Sequence, residues 1–74
     1  MPRLPVVSGR QAVTAFSRAG WEMVRQKGSH IILVKSGLPV TLSVPDHKEL
    51  DVGTLRKLIR LARLTVEEFN ELLD

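Results

Sequence analysis

The chain has no cysteine, and its 74 residues include only one tryptophan and two phenylalanines. Without cysteine there is no disulfide framework, no thiolate metal site and no cysteine nucleophile, and a reducing compartment fits that usage. No apolar stretch approaches the ~20 residues needed to span a bilayer, and Met1-Pro2-Arg3-Leu4-Pro5 lacks the apolar centre of a signal peptide. A soluble cytoplasmic protein without membrane association is therefore expected. A sheet surface that stacks successive bases needs aromatic residues on adjacent central strands; here Trp21, Phe16 and Phe69 read as core instead. Phosphate-cradling loops are missing as well. Gly28 and Gly37 are isolated and neither has the required spacing before a helix, so no nucleotide cofactor is implied.

A chain of this length, 43% hydrophobic and 26% charged, reads as one small domain spanning 1–74. Domains near this size bury only about 60% of the surface that the unfolded chain exposes, so a partner that covers more is a natural stabiliser. The net charge of +3 is unevenly spread. All eleven basic residues precede position 64, against four acids there, a net of +7, and the other four acids (Glu67, Glu68, Glu71, Asp74) lie in the last ten positions. Such density points to a polyanion, nucleic acid first and an acidic protein second. The plainer reading is a set of solvated faces.

Ser8 with Gln11 forms a capping box for a first helix that buries Ala12, Val13, Phe16 and Ala19, and Gly20 suits its left-handed end. Positions 21–27 read as a strand, Gly28-Ser29 as a tight turn, His30–Lys35 as a second strand and Ser36-Gly37 as another turn. Leu38, Val40, Leu42 and Val44 alternate with Pro39, Thr41, Ser43 and Pro45. That pattern predicts a third strand with one wet face, an edge marked by Pro39 and an end at Pro45. The middle strand is expected to be central, with Ile31 and Leu33 on one face and Ile32 and Val34 on the other. Asp51 or Thr54 then caps a helix with Leu55, Leu58, Ile59 and Ala62 inside, and Arg56, Lys57, Arg60 and Arg63 opposite. Thr65 and Glu68 make a second capping box before Val66, Phe69, Leu72 and Leu73. The fold class is α+β, with helices on one face of a three-stranded antiparallel sheet.

Two histidines are the only side chains that ordinarily titrate near neutrality. His30 opens the central strand, with Arg25 and Lys27 on the neighbouring strand and Lys35 along its own. Cations suit a histidine that moves a proton beside a phosphate, not one that ligates a metal; the plain alternative is an edge position in register with Ile32 and Val34. His47 lies in Asp46-His47-Lys48-Glu49, three adjacent loop residues that do not close a coordination sphere without a second histidine. It reads as a surface residue or a phosphate or base contact, beside Lys48. A nucleophilic Ser29 is disfavoured, because neighbours along a strand face opposite ways. The basic face of the second helix is a candidate for the RNA backbone.

The block Gly20-Trp21, then Val24-Arg25-Gln26-Lys27-Gly28-Ser29-His30, Val44-Pro45-x-His47 and Gly53-Thr54-Leu55-Arg56 resembles the HicA family of bacterial toxins, also called YcfA-like proteins, over about positions 8–73. The resemblance implies a fold like the double-stranded-RNA-binding domain, helix-strand-strand-strand-helix, here with a short extra helix. It further implies an mRNA interferase, a small endoribonuclease held inactive by a HicB antitoxin, with His30 as the catalytic histidine. Arg25, Lys27, Gly28, Ser29, Lys35, His47, Lys48, Arg56, Lys57 and Arg60 are then the expected RNA contacts, with no metal and no cofactor. The rival is a binding module of the same fold without chemistry. Self-association is left open.

Two positions depart from the family pattern. Arg63 stands where many members have a glycine, so the penultimate helix is expected to end by another device or with different geometry. Ile31 follows His30 where members often carry a polar residue, which leaves His30 fewer neighbours able to set its tautomer.

Overall fold

The computed structural model describes residues 3–73. Met1, Pro2 and Asp74 lie outside the described residues, so the reading of the N-terminal pentapeptide and of the acidic end rests partly on sequence alone. The order is α1 (Gly9–Arg18), β1 (Glu22–Lys27), β2 (His30–Val34), β3 (Thr41–Pro45), α2 (Val52–Leu61) and α3 (Val66–Leu72). This is an α+β fold, a three-stranded antiparallel sheet in the order β1-β2-β3 with helices packed against it.

The caps form where the side chains can reach orphan amides. Ser8 Oγ accepts from Gln11 N at 3.1 Å while Gln11 Oε1 accepts from Ser8 N at 2.8 Å, and Thr65 and Glu68 repeat the exchange at 3.0 and 2.8 Å. At α2 it is Asp51, not Thr54, that caps, its Oδ2 accepting from Gly53 N and Thr54 N. Each of these satisfies donors that the first helical turn leaves unpaired.

Two helices end in the same way. At α1, Gly20 is left-handed (φ 99), its N–H donates to Ser17 O and Trp21 N–H donates to Phe16 O, each at 3.0 Å. At α2, Arg63 N–H donates to Arg60 O at 3.0 Å and Leu64 N–H to Ile59 O at 3.1 Å. Both are Schellman motifs. The expectation of another device or a different geometry at Arg63 is thus corrected: Arg63 itself takes the left-handed conformation (φ 63), because Leu64 must turn back toward the core.

The sheet differs from the sequence reading at two places, in β1 and at the start of β3. β1 is exposed along its whole length, and a bulge between Met23 and Arg25 leaves Val24 unpaired against β2. β3 begins at Thr41 rather than Leu38; Leu38 N–H closes a turn onto Lys35 O, and the Pro39 ring has no N–H to give a ladder. The strand ends at Pro45 as expected, and Pro45 is its last paired residue, opposite His30. Asp46 N–H donates to Ser29 O beyond it. Because alternate amides of a strand point to opposite sides, the Pro45 nitrogen lies on the outer edge, where no donor is needed.

β2 is central as expected, with Ile31 and Leu33 buried and Ile32 and Val34 half-buried. Its buried pair meets Val44 and Leu42 of β3, and these join Phe16, Leu55, Phe69 and the rest of one apolar cluster. Phe16 and Phe69 pack with ring centroids 5.2 Å apart. In α3 only Phe69 is fully buried; Val66, Leu72 and Leu73 are half-buried at the margin. Among the described residues no helix is long and apolar enough to cross a membrane.

Candidate functional site

Cross-strand partners share a sheet face. Since Ile31 and Leu33 face the core, His30 and Ile32 face away from it, and so do their partners Lys27 and Arg25 on β1 and Pro45 and Ser43 on β3. Arg25 and Lys27 share that face by alternation, and the bulge at Val24 shifts the register only for Met23 and Glu22. The open face thus brings His30 together with two cations on one side and the edge strand on the other.

Beyond β3, α2 stands beside this face and closes a groove of about 400 Å³. His30, Ser43 and Pro45 line it from the sheet, and Thr54, Lys57 and Leu61 from the helix. Lys57 lies three residues after Thr54 and four before Leu61, the spacing that puts all three on one side of a helix. His30 is exposed at the groove wall. Its Nδ1 lies 3.1 Å from Ser43 Oγ, and a hydroxyl can donate or accept there according to the tautomer. Among the described residues Nε2 has no hydrogen-bond partner. Ile31 leaves His30 fewer neighbours able to set its tautomer, and Ser43 is the one that sits within hydrogen-bond distance of the ring among the described residues.

The turn before His30 is held from outside the sheet. Asp46 takes a two-point contact from Arg10, Nε to Oδ1 at 3.2 Å and NH2 to Oδ2 at 3.1 Å, while Gln26 Nε2 bridges the Gly28 carbonyl and Asp46 Oδ2. Gly9 N–H donates to His47 O at 2.9 Å. A Cβ on Gly9 would overlap the Pro45 carbonyl oxygen, so only glycine lets the start of α1 lie against the end of β3. These contacts fix Pro45, Ser29 and therefore His30 between them.

The other expected residues divide. Gly28, Ser29, His47 and Lys48 are exposed around the same end of the sheet. Arg56 and Arg60 are exposed on α2, with Arg60 one turn beyond Lys57. Lys35 is not brought to His30. It follows the far end of β2, and its Nζ donates to Ala19 O at 2.8 Å, at the C-terminus of α1. The Asp46 carboxylate beside His47 is engaged by Arg10, and no group of three or more metal-ligating side chains converges among the described residues.

Sequence reasoning missed Ser43, Thr54, Asp46 and Gly9. The first was within reach: alternation places Ser43 on the wet face, and antiparallel pairing of the two strands sets it opposite Ile32, diagonal to His30. The roles of Asp46 and Gly9 depend on packing between distant segments.

Comparison with known families places the model of the HicA toxin of bacterial toxin–antitoxin systems on residues 9–64, a span that contains His30 and the whole groove. No curated protein matches the chain.

Proposed function

The chain belongs to the HicA toxin family of bacterial toxin–antitoxin systems, and from that premise we propose that it is an endoribonuclease that cuts single-stranded mRNA with His30 as its one catalytic imidazole. The observation that carries this reading is the setting of His30: exposed at a groove, held at Nδ1 by Ser43, with Lys57 on the opposite wall and Arg25 and Lys27 on the adjacent strand.

That setting suits attack by a ribose 2′-hydroxyl on the adjacent phosphorus. The 2′-oxygen bonds to phosphorus as the bond to the 5′-oxygen of the next nucleotide breaks. A cyclic phosphate forms, and the proton lost by the 2′-hydroxyl is matched by one gained at the leaving oxygen. His30 Nε2 carries one of these transfers, as base or as acid, and water or a neighbouring group carries the other. Ser43 holds the ring and its tautomer, the role of a positioning residue. Lys57, Arg25 and Lys27 oppose the charge that builds on the phosphoryl oxygens. Gly28, Ser29, His47, Lys48, Arg56 and Arg60 hold the flanking backbone; Lys35, whose ammonium donates to Ala19 O beyond the far end of β2, takes no part.

The family implies an antitoxin partner. We assign it as a HicB-like protein whose acidic surface covers the basic face and His30 together, in the cytoplasm, so that inhibition needs no conformational change.

The test is an RNA that the protein cuts, resynthesised with a single deoxyribose on the 5′ side of the cut. Binding without cleavage supports the mechanism. Cleavage of that substrate excludes 2′-hydroxyl attack, and binding with no cleavage of any RNA favours the non-catalytic module.

A further inference from the structure

We infer that the groove between β3 and α2 is a subsite for one unstacked nucleotide, which takes the base next to the scissile phosphate; this rests on the endoribonuclease reading of His30. Three features carry it. A volume of about 400 Å³ lies at the small end of the roughly 300–1,000 Å³ of small-molecule sites, a size that suits one nucleotide. The walls have two characters. Pro45, Leu58 and Leu61 offer apolar surface to the face of a base, while Thr41 and Thr54 offer hydroxyls to its edge. A hydroxyl donates or accepts, so these can meet either kind of base-edge group. Finally, His30 and Lys57 line the same groove, and with a base seated inside, its phosphate meets an imidazole and a cation.

The geometry has a consequence for the substrate class. A base paired and stacked in an A-form helix shows only its edges, and its faces are covered by its neighbours. Only a base turned out of the stack can lay a face against the apolar lining of Pro45, Leu58 and Leu61. The substrate is therefore single-stranded RNA or a loop, even though the fold is like that of a domain that binds duplexes. Base preference at the cut is set by the hydroxyls on the groove wall, and no aromatic platform is needed.

The test uses methyl NMR of the full chain, titrated separately with adenosine 3′-monophosphate, uridine 3′-monophosphate and ribose 5-phosphate. The nucleotides are expected to shift the methyls of Thr54, Leu58 and Leu61, whereas ribose 5-phosphate leaves them in place. Leu61→Trp fills the groove and removes the nucleotide shifts. Thr54→Val, which keeps shape and fold, weakens at least one nucleotide about three- to tenfold, the value of one neutral hydrogen bond. Equal shifts with ribose 5-phosphate, or none with either nucleotide, overturn the subsite. RNA cleavage measured on the same samples separates the two readings. A chain that cuts RNA but leaves the groove methyls unmoved loses the subsite and keeps the ribonuclease, and one that seats nucleotides in the groove without cutting RNA does the reverse.

Discussion

Glycine at position 63 should make the protein more stable than alanine there, and the size of the difference follows from two helix ends that share one geometry. Gly20 and Arg63 occupy the same position of the same motif, with φ 99 and φ 63. An L-residue there is held against its own Cβ, at about 1–2 kcal/mol, whereas glycine adds about 0.4–1 kcal/mol of unfolded-state entropy. The difference predicts a gain of about 0.5–1 kcal/mol, or about 2–8 °C in Tm for a chain of this size. Arg63 also places a cation near the C-terminal end of α2, a contribution of about 0.3–1 kcal/mol that glycine removes. Arg63→Ala removes the same charge but keeps the strain, so it is the right reference. Urea unfolding can be followed through Trp21, the one tryptophan, which is 2% exposed. The glycine variant should show a higher midpoint than the alanine variant with the same slope. Equal midpoints would refute the claim that Arg63 is strained.

Gly9→Ala should cost about 1–3 kcal/mol by overpacking, because the Pro45 carbonyl cannot yield without moving β3; an unchanged urea midpoint would contradict the close approach. Ser43→Ala should leave stability within about 0.5 kcal/mol, lower kcat about three- to tenfold at similar KM, and change the imidazole ¹⁵N shifts of His30. Unaltered ¹⁵N shifts would deny Ser43 its positioning role. For RNA binding, Lys57→Ala and Arg25→Ala should each reduce the slope of log affinity against log salt by up to about 0.7, the value of one single-strand phosphate contact. Lys35→Ala should leave that slope unchanged, since its ammonium is occupied at Ala19; a reduced slope would bring Lys35 back to the RNA.

The local signals were legible wherever one short segment decides the outcome. Ser8 with Gln11 and Thr65 with Glu68 cap as their spacing requires, and Leu42 and Val44 turn inward by alternation. Errors arose where a distant segment decides. Leu38 and Val40 alternate correctly but have no partner residues left on β2, whose pairing with β3 ends at Val34 opposite Thr41. The bulge at Val24 has no signature in a run as mixed as Met23-Val24-Arg25-Gln26.

His30 shows the same division. Its place at the start of the central strand, with cations on the next strand, was visible from sequence. Its hydrogen bond to Ser43, thirteen residues away, and the wall that α2 adds were not. Lys35 marks the opposite case, a cation close in sequence that the strand carries to the other end of the sheet. Proximity along a strand is a poor guide to a site, because each residue adds about 3.3 Å.

The central claim is that His30 makes this chain a ribonuclease. The most direct measurement compares purified wild type and His30→Ala on a labelled single-stranded RNA with EDTA present, after circular dichroism shows both to be folded. Cleavage by wild type and none by His30→Ala is the predicted result. Equal cleavage by the two proteins would contradict it.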